Sequence, residues 1–271
     1  QKISEGQHWM FTPYRELTLI HAVQQPLYPP FFNKLSNMRN YDDTKTTLTG
    51  EARISVKSTA QLTILANWTE DVDEIHKLNH LYKINLINSC AGFKSANLIA
   101  TKSNENNTNV AIFSSVIHLG SAPPLLGFIL RPTSVPRNTY ENIMETGYYT
   151  INHVHEKIIK DAHHTSAKYD SSISEFDVTN LETIYKNNFF APFVEDCPIQ
   201  IAMKFVEEYD IKSNNTKLVI GEIQQLYIKD KLLKDDGFIN LSEGKIATIN
   251  GLNGYAIPTL KERCEYQRPI K

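Results

Sequence analysis

What this 271-residue chain has little of narrows its options first. It holds three cysteines, Cys90, Cys197 and Cys264, odd in number and far apart. They fit no zinc or disulfide spacing and indicate a reducing compartment, so a cytoplasmic location and no structural metal are expected. No apolar run approaches the ~20 residues of a membrane span, and the first residues lack the apolar core of a signal peptide. Neither sign of charge is in excess: 28 Lys and Arg stand against 30 Asp and Glu. Nucleic acid and anionic membranes are therefore not expected as partners. Gly-x-Ser-x-Gly, Gly-x-Gly-x-x-Gly and the P-loop lysine motif are all absent, which removes the hydrolase elbow and the usual nucleotide-phosphate loops.

Only two tryptophans occur, Trp9 and Trp68, and both precede residue 73. That segment differs from the rest. Residues 17–23, 52–56 and 62–66 read as half-buried strands, broken by Pro26, Pro29 and Pro30. It has too few strands to bury a core alone. The acidic run Glu70-Asp71-Val72-Asp73-Glu74 marks a junction and reads as a solvated charge cluster rather than a metal site. Two parts follow: a β-rich N-terminal segment, 1–72, and a main domain, 73–271.

In the main domain, apolar runs and turn signals predict strands over 81–88, 95–101, 110–117, 125–130 and 148–154. Runs 199–209 and 217–228, separated by Ser213-Asn214-Asn215-Thr216, predict a long hairpin. A short strand is predicted over 245–250 and a loop over 251–255. Residues 138–146 read as a helix with Asn138 as N-cap, Glu141 completing a capping box and Gly147 closing the end. Helices are also predicted over 155–169 and 258–266, and 170–188 reads as a polar loop. Many antiparallel strands with few helices favour a barrel or sandwich.

The chemistry concentrates in residues 109–140. Run 125–130 delivers Arg131, Thr133, Arg137, Asn138 and Thr139 in quick succession. Guanidinium forks match phosphate oxygens, and a helix opening beside them adds free backbone N–H groups. Ser114 and Ser115 are neighbours on a predicted strand, so only one can face a given pocket. His163 and His164 point in different directions on a helix and do not suggest a metal. His153 and His155 read as structural.

Lys94-Ser95-Ala96-Asn97-Leu98, Ser114-Ser115, Pro123-Pro124-Leu125-Leu126-Gly127 and Arg137-Asn138-Thr139-Tyr140, in this order, resemble the flavin reductase-like family of FMN-binding split barrels. The resemblance covers about 75–271 and leaves 1–72 unassigned. It implies a mainly β fold, a split β-barrel with a few peripheral helices, and a homodimer with the flavin near its interface. It implies hydride transfer from NAD(P)H to N5 of bound FMN, then to an acceptor, with no residue acting as acid, base or nucleophile. It also implies flavin contacts from Lys94, Ser95, Ala96 and Asn97 around the ring, from Ser114 or Ser115, and from Arg131, Thr133, Arg137, Asn138 and Thr139 at the phosphate. Thr165, Ser166 and Lys168 are carried over in the same way. The alternative is a barrel that binds FMN or another small ligand without turnover.

Overall fold

The computed structural model describes residue 75 and residues 77–269. The strands expected over 17–23, 52–56 and 62–66 lie outside the described residues. The chain divides between Ile84 and Asn85, and the unit C-terminal to that division carries the fold.

Helix α1 (His80–Cys90) spans the division. It replaces the strand expected over 81–88. Short apolar runs suit either state. The deciding signal is Asn79, whose Oδ1 accepts from the Leu81 N–H at 3.0 Å as an N-cap does.

The strands are β1 (Lys94–Ser95), β2 (Asn97–Lys102), β3 (Thr108–Phe113), β4 (Ile117–Ser121) and β5 (Pro124–Leu130). Then come α2 (Asn138–Thr146), β6 (Tyr148–His153), a 3-10 turn (Glu156–Ile158) and α3 (Ile159–His164). A short ribbon, β7 (Thr183–Ile184) and β8 (Phe193–Val194), precedes the long hairpin β9 (Ile199–Ile211) and β10 (Thr216–Ile228). Strands β11 (Thr248–Asn250) and β12 (Gly254–Ala256) close the order.

Seven strands form one antiparallel sheet in the order β3-β2-β6-β9-β10-β5-β4. Its two edge strands, β3 and β4, are consecutive in the chain and separated only by residues 114–116. That link reaches at most about 14 Å, whereas the edges of a flat seven-stranded sheet lie about 29 Å apart. The sheet must therefore roll up. The run 110–117 is thus not one strand but two, broken where the roll meets itself. At this seam Ser115 Oγ donates to the Ile129 carbonyl (3.1 Å) and accepts from the Ile129 N–H (3.0 Å).

Inside the roll pack Ile99, Phe128, Tyr149, Ile151, Ile201, Met203 and Val219, with Ile143 from α2. Outside β2 and β3, a second core joins Leu98, Ala100 and Val110 to Ala162 of α3 and to Leu181, Val194 and Ile249. Strand β2 is consequently buried on both faces. The hydroxyl of Tyr149 fits only because residue 221 is glycine, since a Cβ there would lie 2.2 Å from it.

Helix α2 buries Thr139, Asn142 and Ile143, one stripe at helical spacing. Its end is as the sequence predicts: Gly147 is left-handed at φ 76 and its N–H bonds Ile143 O. Its start is not. Arg137, rather than Asn138, is the extended cap residue, with no side-chain cap, because the Asn138 amide donates instead to Ser171 O at 2.9 Å. The helix expected over 155–169 stops at His164, where Thr165 Oγ1 bonds Ala162 O and Ser166 Oγ bonds His163 O. Of the loop expected over 251–255, residues 251–253 form the tight β11–β12 turn, whereas 254–255 belong to β12. Gly251 is needed there, since φ is +62 and a Cβ would lie 2.8 Å from Ser89 Oγ. Residues 258–266 form no helix. Ser242 anchors their start, bonding both Pro258 O (3.0 Å) and the Leu260 N–H (2.6 Å), and Arg263 pairs with Asp236 at 2.6 Å.

Candidate functional site

The loop between β5 and α2 holds Arg131, Thr133 and Arg137, and Asn138 opens α2. Arg131 and Thr133 are exposed; Arg137 is half-buried. The Arg137 Nε donates to Pro132 O at 3.1 Å, which ties the side chain to its own loop. Burial first, and the charge of Arg131 second, push the Arg137 pKa below its ordinary value. The two guanidiniums therefore feel each other. Neither has an ion pair among the described residues. Next to them α2 begins without a side-chain cap. Its first N–H groups, those of Asn138 and Thr139, find no acceptor among the described residues, whereas the next two share Arg137 O. Like charges held together beside open N–H donors are an arrangement that could hold an anion.

A third cation nearby behaves differently. Lys217 sits opposite Leu130 in the β10–β5 register. It bonds Asp210 at 2.7 Å and Glu208 at 2.8 Å, and Tyr140 Oη donates to the same Glu208 oxygen at 3.1 Å. These carboxylates, Asp210 first, raise the Lys217 pKa. Sequence reading missed this group because its members lie up to 77 residues apart, from Tyr140 to Lys217.

The region around β1 and the seam is uncharged on its inner side. Lys94 Nζ bonds Asn88 O (2.7 Å), near the C-terminus of α1, and Gly251 O (3.3 Å). A cation there also suits the helix dipole. Ser95 Oγ donates to Val116 O at 3.3 Å and accepts from Asn97 Nδ2 at 2.8 Å. Ala96 is buried and its carbonyl accepts from the Val154 N–H. Asn97 is fully buried, and its Oδ1 has no partner among the described residues. Asn97 stands opposite Phe113 on one side and His153 on the other. Burial drives the His153 pKa down to about 4, so its imidazole is neutral near pH 7. Of the serine pair, Ser115 is committed to the seam, and Ser114, half-buried, makes no hydrogen bond among the described residues.

The structure joins three of the four expected groups. Ser115 bonds Ile129, two residues before Arg131, so the seam and the arginine loop are adjacent. Ser95 and Asn97 meet the same seam. Thr139 lies buried, bonded to Asn109 at 2.9 Å. Thr165, Ser166 and Lys168 follow α3: Thr165 is buried, the other two are exposed, and both hydroxyls bond back to their own helix. Among the described residues, the bond from Asn138 to Ser171 links the chain just after that stretch to the start of α2. Among the described residues, no group of His, Cys, Asp and Glu is arranged to hold a metal ion.

Residues 92–242 match the family model described as the flavin reductase like domain. Among solved structures, a protein described as a flavin reductase with a split barrel domain, from Shewanella frigidimarina, is 45% identical. The match covers 73% of this chain and 98% of that one, with a TM-score of 0.70. The 2-nitrobenzoate 2-nitroreductase of Pseudomonas fluorescens shares the fold at 22% identity, 73% and 96% coverage and a TM-score of 0.63. Flavoredoxin of Desulfovibrio vulgaris does so at 19% identity, 65% and 92% coverage and a TM-score of 0.57. No curated protein matches significantly. The chain belongs to the flavin reductase-like family, a group of flavin-using oxidoreductases, and its rolled sheet is the split barrel.

Proposed function

We propose that this member of the flavin reductase-like family holds FMN and carries electrons from NAD(P)H to an acceptor. The observation that carries the reading is the unpaired couple Arg131 and Arg137 beside the open start of α2. A phosphate monoester dianion supplies the charge and the acceptors that this loop lacks. Among flavins this favours FMN over riboflavin, which has no phosphate. Bound FMN supplies a two-electron centre. The protein's residues bind and orient. Arg131, Arg137 and the α2 N–H groups would take the phosphate. Ser95, Ala96, Asn97 and Ser114 would line the ring, where small side chains let a flat ring come close. The unpartnered Asn97 Oδ1 fits a donor at a ring edge, directly or through water. No side chain here needs to transfer a proton. With no Rossmann motif in the sequence, the nicotinamide nucleotide would bind only transiently.

A homodimer fits one face of the sheet. Ile117, Leu119 and Tyr209 are exposed. They share a face with Gly127, Ile129, Leu218 and Ile220, as the register and the approach of Leu119 and Leu218 to Gly127 require. This largely apolar face, with Glu207 opposite Ile220, suits a second copy.

The test begins with the absorbance of purified protein and an FMN titration. Binding at micromolar FMN, followed by NADH or NADPH oxidation, supports the proposal. Absence of binding sinks it. Binding without oxidation of either nucleotide leaves a flavin-holding barrel without turnover. Light scattering on the FMN-loaded protein should give a dimer mass; a monomer with flavin still bound would end the dimer proposal.

A further inference from the structure

We propose that Glu175 is a positioning residue of the anion site, holding the first turn of α2 through Asn109 and Thr139. This rests on the reading of the arginine loop as the flavin phosphate site. Glu175 lies in the loop after α3 and is not local to the helix it serves. It reaches β3 across 65 residues of chain, where its Oε2 accepts from the Val110 N–H at 3.2 Å.

The Glu175 carboxyl is half-buried, and burial pushes its pKa up. It has no ion pair among the described residues. A carboxylate placed this way is costly unless hydrogen bonds compensate. With the Asn109 amide turned so that its nitrogen faces Glu175, Nδ2 donates to Oε2 at 3.1 Å. Asn109 Oδ1 then accepts from the Val110 N–H at 3.2 Å and from Thr139 Oγ1 at 2.9 Å. Asn109 and Thr139 are both buried, so solvent does not compete for these bonds. The same loop reaches the same two elements again: Ser171 O takes the Asn138 amide at 2.9 Å, and the Ser174 and Thr108 hydroxyls meet at 3.2 Å. Thr179 Oγ1 bonds Glu175 O at 2.7 Å, and Phe176 packs against the second core, which anchors the loop.

Glu175 makes no ion pair with Arg131 or Arg137 among the described residues. The acid thus orients the start of α2 without neutralising the arginines beside it. A carboxylate paired directly with Arg137 would do the opposite and compete with a phosphate.

The test compares the full-length protein with E175A, E175Q and T139V in FMN and riboflavin titrations. E175A should weaken FMN about tenfold and riboflavin less than about twofold, the scale of one or two lost hydrogen bonds. E175Q keeps an oxygen that can accept from Asn109 and should stay within about threefold of the parent. Equal losses for both flavins, no loss in E175A, or an E175Q as weak as E175A would overturn the proposal. Hydrogen exchange across α2 in the flavin-free protein reads the positioning without any ligand. It should quicken in E175A and T139V but not in E175Q, and unchanged exchange in E175A and T139V overturns the proposal. T139V carries the test if E175A does not fold. If the parent binds neither flavin, the phosphate reading fails, and hydrogen exchange alone decides the role of Glu175.

Discussion

Two adjacent regions of the barrel treat polar groups in opposite ways. At the seam, Ser95, Asn97, Ser115 and the neutral His153 are uncharged, and the first three bond to one another or to backbone. In the arginine loop, two cations stand together with no carboxylate paired to them among the described residues. Lys217, at the same end of the sheet, shows that the fold can neutralise a cation there, because Asp210 and Glu208 do so. The arginines are therefore a local exception. A neutral, closely packed region beside a cationic, open one suits a ligand with a flat neutral part and an anionic tail.

The sharpest break in this contrast is Arg137→Ala. It should weaken FMN binding by roughly 1.5–3 kcal/mol, the scale of a charge-assisted hydrogen bond. Riboflavin binding should change far less. Equal losses for both in calorimetric titrations would make Arg137 a structural residue.

The neutral side is probed by pH. His153 has a folded pKa of about 4, below its unfolded value of about 6.5. The unfolded chain therefore binds a proton first as pH falls. Stability is complete above about pH 6.5, declines toward pH 4 and then stops depending on this group. Allowing for the part of the ring that reaches solvent, the loss is about 2 kcal/mol. Urea unfolding of His153→Gln should be flatter across that window. An unchanged slope would show that His153 is not the group responsible.

Ser115→Ala removes the seam's stitch and leaves the Ile129 N–H without its acceptor. A cost of about 1–2 kcal/mol in unfolding free energy is expected, with the preference for FMN over riboflavin kept. Loss of that preference would mean that the seam and the arginine loop are not separable.

The smallest effect should come from removing what lies outside both regions. A chain beginning at about Asp73 is expected to fold and to bind FMN with unchanged affinity. An insoluble or flavin-free product would place residues 1–72 within the functional unit.

Strong local patterns are legible in the sequence alone. The β9–β10 hairpin follows from two long apolar runs around an Asn-rich turn, and the end of α2 follows from Gly147. The arginine loop is legible as a cluster because its members lie within eight residues of chain, which no fold can disperse far. Residues 81–88 and 258–266 mislead for one reason. Both stretches are short enough to suit several conformations, and Asn79 or Ser242 decides between them.

By itself, then, the sequence determined the strands and helices with strong periodicity, the membership carried by its ordered motifs, and the density of cations after β5. Tertiary structure alone decided that run 110–117 breaks in two, since only the rolled sheet brings Ser115 to Ile129. It decided which serine is committed to the seam, that Asn138 turns to Ser171 rather than capping α2, and that Glu175 reaches Asn109. Each of these choices depends on a hydrogen-bond partner 14 to 66 residues away. Such partners exist only once the sheet has closed, and the cost of leaving a buried polar group unpaired then selects among conformations that local sequence leaves nearly equal.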